Sequence, residues 1–324
     1  MSSTTVPISA GRKPSPALRG FAWGVLIYFV AVILWGTLVR ATGSGAGCGD
    51  HWPLCNGTVI QHDPHTATII EFTHRVTSGI SFFAIVGLAI WTFAGTVKGH
   101  VARATVVASV IFTLVEAILG ALLVLLGLTA ESRSPLRPWY LALHLSNTLL
   151  LLAALALTAH MLGRREGFEW SRIRVTAPGG AIAGLLVFMT VGVTGSLAAL
   201  GDTLFPAASL TQALSSDLSA KSAWLVRWRW THPAIALLAS VFLIWILVRA
   251  ARRSAHWDNR GLSVLVLTLL AVQYVLGIMD VVLLAPVWLQ VVHLLGADLF
   301  WCALIILTAR LTLEPGPVRP RVVR

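Results

Sequence analysis

The chain has 324 residues, of which 56% are hydrophobic and only 11% are charged, and its mean hydropathy is +0.81. A composition this apolar excludes an ordinary soluble domain and predicts an integral membrane protein. The formal net charge of +11 raises the question of a nucleic-acid partner. No such partner is expected, because the basic residues separate by loop as membrane topology requires.

Eight apolar stretches are long enough to cross a bilayer as helices, since a span needs roughly 20 residues. Their predicted limits are about 21–39, 70–95, 104–127, 138–161, 177–200, 230–249, 262–283 and 287–310. The first is expected to be a retained helix, because no small-residue cleavage pattern follows it. The sequence therefore predicts an all-α fold with eight transmembrane helices.

The basic residues predict the orientation of these helices. Seventeen of the 24 Lys and Arg residues lie before the first span, in the second, fourth and sixth loops, or in the C-terminal tail. The side of the membrane with more Lys and Arg is normally the cytoplasmic one. We therefore expect a multi-pass protein of the cell membrane with both termini in the cytoplasm.

Four sets of residues recur in the same order in the two halves of the chain. They are Thr42-Gly43-Ser44 with Thr194-Gly195-Ser196, Thr73-His74 with Thr231-His232, Glu116 with Gln273, and Trp139 and His144 with Trp288 and His293. Each member of the first pair is expected to follow a helix. The duplication predicts two tandem, pseudo-symmetric four-helix bundles over 21–161 and 177–310, with cytoplasmic segments 1–20, 162–176 and 311–324.

The four matched histidines, His74, His144, His232 and His293, each lie near the start of an even-numbered span, which the topology places towards the outer face. A lone histidine in a membrane helix often bonds a neighbouring carbonyl. Four in repeated positions indicate function, because ionisable groups inside a membrane are costly. Zinc or copper sites gather ligands at one point, often with Cys, Asp or Glu, so two His-only pairs favour axial ligation of two haem irons.

The two halves differ in their acidic residues. Glu71, one helical turn before His74, is replaced by Arg229 in the second half, and Glu116 is replaced by Gln273. This difference predicts proton-coupled chemistry in the first half and electron transfer in the second. Glu71 shares a helix face with His74, where it would move protons or pair with the arginine that follows the histidine. Glu116 would be a buried hydrogen-bonding group or a proton relay.

The predicted outer side carries further candidate residues. Arg40, Arg75 and Arg229 are candidate contacts of haem propionates, or interfacial residues without a specific role. Cys48 and Cys55 enclose a short loop, where an oxidising compartment permits a disulfide. That disulfide would be a structural staple or a redox-active pair that supplies electrons to the nearby haem.

Three motifs resemble those of haem A synthase, and the similarity spans the chain: Arg40-Ala-Thr-Gly-Ser-Gly, Cys48 with Trp52-Pro53-Leu54-Cys55-Asn56-Gly57, and Glu71-Phe-Thr-His74-Arg75. The resemblance implies an oxidoreductase that converts the C8 methyl group of haem O to a formyl group. The reaction would pass through a hydroxylated intermediate and give haem A for terminal oxidases.

The resemblance also implies a role for each matched residue. His74 and His144 would hold the substrate haem O, His232 and His293 would ligate a haem b cofactor, and Glu71 would be the catalytic acid or base. The sequence departs from the family pattern at the residue directly after His232, which is a proline. The proline removes an amide donor near the helix start, and ligation by His232 stays possible.

Two other functions are consistent with the residues. A dihaem b-type cytochrome would relay electrons, and it predicts that Glu71 can be replaced without loss of electron transfer. A haem transporter or chaperone would hold its ligand near the bilayer midplane, often between broken helices, whereas these histidines cluster towards one face. The expected partners are haem O, the lipid bilayer, a haem O synthase and a redox partner, for which a quinone is one candidate.

Overall fold

The computed structural model describes residues 14–59, 61, 63–164, 173–175, 178–253 and 259–315. The helices and strands of these residues are α1 (Pro16–Ala41), a 3-10 helix (Ser44–Ala46), α2 (Thr66–Gly95), α3 (Val101–Leu125), α4 (Arg137–Leu162), β1 (Ile173–Val175), α5 (Pro178–Leu204), α6 (Leu210–Leu218), α7 (Trp224–Arg227), α8 (Thr231–Arg253), α9 (Arg260–Val282), α10 (Val287–Thr312) and β2 (Leu313–Pro315). Most of the predicted segments 1–20, 162–176 and 311–324 lie outside the described residues.

Eight helices in the described part of the chain are long and apolar enough to cross a membrane. They coincide with the eight predicted stretches, and the sixth includes the short α7 together with most of α8. The all-α prediction is confirmed, apart from the short antiparallel pair β1–β2. Several helices are longer than predicted. α1, for example, begins at Pro16, because the Ser15 hydroxyl caps it by accepting from Leu18 N at 3.1 Å and proline fits the first helical turn.

The helices share one core. In α1 the buried residues Leu18, Ala22, Val25 and Phe29 recur at helical spacing, so one stripe of the helix faces its neighbours. α4 is the most buried of the eight and packs on α1, α3, α5 and α10. A single cluster of buried apolar residues therefore includes side chains from both halves of the chain.

A hydrogen bond also joins the two halves inside this core. The indole nitrogen of Trp301 in α10 donates to the carbonyl oxygen of Leu149 in α4 at 2.8 Å. Such bonds are valuable between membrane helices, because lipid competes for apolar contacts. The division of the chain into two four-helix bundles with the predicted boundaries stays a prediction.

One predicted repeat match is wrong. Thr42 caps the end of α1, and Gly43, with a φ of 68°, begins the loop that follows it. Thr194 to Ser196, by contrast, lie inside α5, which continues to Leu204. The two Thr-Gly-Ser sequences are therefore not equivalent in the fold, because only the first of them follows a helix.

Candidate functional site

The loop after α1 is closed by a disulfide. Cys48 and Cys55 are bonded, and their side chains are almost completely buried, with 0% and 1% of their surface exposed. The backbone of Asn56 donates to the carbonyl of Cys48 at 3.0 Å, so the two ends of the loop are also joined by a main-chain bond. The predicted pairing is confirmed, and the burial of both sulfur atoms separates them from solvent.

Glu71 connects this loop to α2. The carboxylate is buried, and its Oε2 accepts from the backbone nitrogen of Cys48 at 2.8 Å. Its Oε1 accepts from Nη2 of Arg75 at 2.6 Å. Arg75 in turn donates through Nη1 to the carbonyl oxygens of His51 at 2.6 Å and Leu54 at 2.7 Å. Glu71 and Arg75 together therefore fix the position of the disulfide loop on the helix that carries His74.

His74 lies on the third turn of α2 against α1. Its Nδ1 is buried, and none of the described residues bonds to that atom. Gly36 of α1 faces the ring so closely that a Cβ at this position would lie 2.9 Å from the imidazole Cε1. A buried ring nitrogen without a protein partner is uncommon, and the predicted role of His74 as a haem ligand is consistent with it.

His144 lies on α4 and is held from α3. Its Nδ1 is 2.9 Å from Oε1 of Glu116, which is the distance of an ion pair, although the contact does not have the geometry of a hydrogen bond. The same carboxylate accepts hydrogen bonds from the Asn147 amide and the Thr148 hydroxyl of α4. Gly120, one turn after Glu116, faces the other nitrogen, since a Cβ there would lie 3.9 Å from Nε2. The carboxylate of Glu116 thus lies beside Nδ1 of the imidazole, and Gly120, which has no side chain, faces Nε2.

The second half repeats the pairing of histidines with glycines. His232 lies against Gly195, where a Cβ would be 2.9 Å from the ring, and its Nδ1 is 3.1 Å from the carbonyl oxygen of Val191. His293 lies against Gly277, where a Cβ would be 3.4 Å from the ring. The rings of His232 and His293 are 6.5 Å apart between centroids and nearly perpendicular. The predicted second pair of histidines is therefore close together in space.

The contact between each histidine and a helix glycine is the feature of the site that the sequence does not predict. Gly36 and Gly195 are separated by 159 positions, close to the 158 that separate His74 from His232. This spacing supports their equivalence and replaces the Thr-Gly-Ser match. The signal was present in the sequence, but a glycine in an apolar helix has many explanations, and only the contact with an imidazole identifies its role.

All three arginines predicted as propionate contacts are paired with protein groups, Arg75 with Glu71 and the disulfide loop as described above. Arg40 donates to the Ala199 carbonyl at 3.0 Å, to the Thr203 hydroxyl at 2.9 Å and to the Gln290 side chain at 2.8 Å, so it bridges α1 to α5 and α10. Arg229 forms ion pairs with Asp202 at 2.6 Å and with Asp217 at 2.7 Å. These contacts hold the ends of the helices together, and a role with propionates stays a prediction.

A cavity of about 390 Å³ lies beside this region, and sequence reasoning did not predict it. Arg133, Phe205, Gln212 and Arg229 are among the residues that line it. None of the four histidines lines the cavity, so it is separate from the histidine pairs.

A family comparison decides the relationship of the chain to known proteins. Residues 19–305 match the family model COX15-CtaA, described as cytochrome oxidase assembly protein. The chain belongs to this family. The match covers all four histidines, the disulfide loop, Glu71 and Glu116.

Curated relatives of this chain include haem A synthases. The protein from Bacillus pumilus is 29% identical over 282 residues, covering 81% of this chain and 85% of the relative. The protein from Geobacillus kaustophilus is 28% identical over 255 residues, covering 75% and 74% of the two chains. A protohaem IX farnesyltransferase from Thermus thermophilus is 41% identical over 304 residues, which are 93% of this chain. The chain spans only 49% of that relative's length.

Proposed function

We propose that the protein is a haem A synthase, an oxidoreductase that converts the C8 methyl group of haem O to a formyl group through a hydroxylated intermediate. The observation that carries this proposal is the set of four histidines, each against a helix glycine, in a chain whose curated relatives include haem A synthases. A Cβ at Gly36 or Gly195 would lie 2.9 Å from the ring that it faces, which is too close for an unshifted imidazole, whereas at Gly277 and Gly120 it would lie at 3.4 and 3.9 Å. The absence of a side chain at Gly36 and Gly195 therefore sets the positions of His74 and His232.

The residues of the first half would bind the substrate. His74 and His144 are proposed to hold haem O, since one has a buried ring nitrogen without a partner and the other has an Nε2 that faces a glycine. The neighbouring Glu71 is the proposed catalytic acid or base. Its bonds to Arg75 and to the Cys48 amide keep the carboxylate at the loop end of α2, three residues before His74. A fixed carboxylate beside the substrate can hold or move a proton at one place.

The residues of the second half would hold haem b. When bound between His232 and His293, this cofactor supplies electron transfer, because a haem iron with two histidine ligands has no open position. With 6.5 Å between their ring centroids, His232 and His293 are close enough to hold one haem together. The residue that replaces Glu71 in this half, Arg229, forms ion pairs with Asp202 and Asp217. This half therefore lacks an acid in the place where the first half has one.

We also propose a partner that makes haem O. The Thermus relative is named a protohaem IX farnesyltransferase, and the similarity accounts for about half of its length. We infer that its other half carries the farnesyl transfer and that the two activities belong together. The proposed arrangement places both termini in the cytoplasm and the histidine pairs towards the outer face of the cell membrane. Identification of the haems that accumulate when the chain is expressed with a farnesyltransferase tests the proposed function.

A further inference from the structure

The contacts of Glu116 favour one of its two predicted roles. Oε1 accepts from the Thr148 hydroxyl and lies 2.9 Å from Nδ1 of His144, and Oε2 accepts from the Asn147 amide. Both oxygens are thus engaged, and all three partners belong to one stretch of α4. The carboxylate therefore joins α3 to the stretch of α4 that carries His144, which is the arrangement expected of a group that holds a neighbouring imidazole.

We propose that Glu116 is the positioning residue for His144, holding the Nδ1 side of the imidazole so that Nε2 points at the iron of the haem in the first half. This inference rests on the proposed function. A carboxylate on one nitrogen fixes the tautomer and the orientation of a metal-binding histidine, and leaves the other nitrogen as the ligand atom.

The arrangement of α3 supports this assignment. Glu116 and Gly120 lie one helical turn apart, so both reach the same imidazole from the same helix. Glu116 lies beside Nδ1. Gly120 faces Nε2 and has no side chain, and a Cβ at this glycine would lie 3.9 Å from Nε2. The helix therefore holds the ring at one nitrogen and leaves room at the nitrogen that would bind iron.

The second half lacks this arrangement. Gln273, which replaces Glu116, is placed to donate to the carbonyl oxygen of His293 and to accept from the backbone nitrogen of Ala297, both at 3.1 Å. These bonds are to the backbone of α10, and the amide carries no charge. Because a carboxylate makes its imidazole partner a more basic ligand, the first-half iron would have the lower reduction potential for otherwise equal surroundings.

Glu116→Gln tests the inference in the full-length protein, purified after expression with a protohaem IX farnesyltransferase. The two haem signals are first assigned in the wild type by the loss of one in His144→Ala and of the other in His293→Ala. In Glu116→Gln the first-half haem should bind about 10–100-fold more weakly, which is the usual effect of removing a partner of a metal ligand. Its midpoint potential should rise and its low-spin electron paramagnetic resonance signal should shift.

The second-half haem gives an internal check of folding, because its signal should stay unchanged in the same sample. Gln273→Met is the matched control, and it should leave the first-half haem unaltered. If Glu116→Gln lost both haems, Thr148→Val would supply the test, since it removes one donor and keeps the carboxylate, and a smaller shift in the same direction is expected. A folded Glu116→Gln protein with unchanged first-half affinity, potential and spectrum would overturn the inference alone. If His144→Ala kept both haem signals of the wild type, the proposed function would be overturned together with this inference.

Discussion

The carboxylate of Glu71 and the guanidinium of Arg75 form a buried ion pair on α2, with 2.6 Å between Oε1 and Nη2. Each member also bonds to the disulfide loop, Glu71 through the Cys48 amide and Arg75 through the carbonyls of His51 and Leu54. The pair therefore has a structural task whether or not Glu71 takes part in catalysis.

Glu71→Gln should keep both haems bound and lower haem oxidation by roughly 100-fold or more, the usual loss when a general acid or base is removed. The amide keeps the size of the side chain and one acceptor for the Cys48 nitrogen, so the loop should stay in place. Turnover is measured in membranes that contain haem O, with Glu131→Gln, an exposed acid of another loop, as the control. Wild-type turnover in Glu71→Gln would contradict the catalytic assignment.

Arg75→Gln removes the same ion pair and leaves the carboxylate. If Glu71 is catalytic, this variant should lose stability through its three lost partners but retain clearly more turnover than Glu71→Gln. Thermal unfolding, followed by loss of the haem absorbance, and haem oxidation are measured on the same preparations. Equal losses of turnover in the two variants would instead indicate that both residues act only by fixing the loop.

The burial of the disulfide predicts that its role is structural. A double variant, Cys48→Ser with Cys55→Ser, should lower the free energy of unfolding by about 2 kcal/mol, since a cross-link of this kind limits the unfolded chain. Haem oxidation should continue, because the sulfur atoms are covered from solvent and from an external reductant. Unchanged stability with abolished turnover would establish the redox role.

Gly36→Ala should displace the His74 imidazole, because the new methyl group would lie 2.9 Å from the ring. First-half haem binding should fall, while Gly24→Ala on the same helix, where a Cβ has nothing within 4 Å, should bind haem normally. Alanine favours a helix over glycine by about 1 kcal/mol, so helix propensity alone would not reduce binding. Normal first-half haem binding in Gly36→Ala would contradict the proposed place of the substrate.

Arg40→Met should weaken the contact between the two halves, because one guanidinium bonds to α5 and α10. Each bond to a charged group is worth about 1.5–3 kcal/mol, so a loss of several kcal/mol is expected. Thr203→Val removes only one of these partners and should cost about 1 kcal/mol, measured by thermal unfolding with bound haem. An Arg40 variant as stable as the wild type would show that the bridge is not needed.

The sequence predicts the number of helices better than it predicts where each helix begins and ends. The eight spans follow from hydropathy, because a bilayer-crossing helix must be apolar along its length. The disulfide followed from its outer loop and the short spacing of Cys48 and Cys55. The limits of the helices were less accurate, since capping by Ser15 and the continuation of α5 past Gly201 depend on local bonds that hydropathy does not measure.

The sequence predicts which residues belong to the candidate site better than it predicts which groups those residues contact. The repeat identified His232 and His293 as a pair, and the structure places their rings close together. The partners of Glu116 could not be predicted, because three groups of α4 meet one carboxylate of α3 only through tertiary packing. Arg40 was considered for propionates on its position alone, while its three bonds to α5 and α10 depend on how the halves meet.

The most direct test of the proposed function is to identify the haems extracted with acid from membranes that contain this chain and a protohaem IX farnesyltransferase. Chromatography with mass detection separates haem B, haem O, the hydroxymethyl intermediate and haem A. We predict haem A or the intermediate in the wild type, and unchanged haem O in Glu71→Gln. Only haem B and haem O in the wild type, with the protein folded and loaded with haem and a redox partner present, would contradict the proposal.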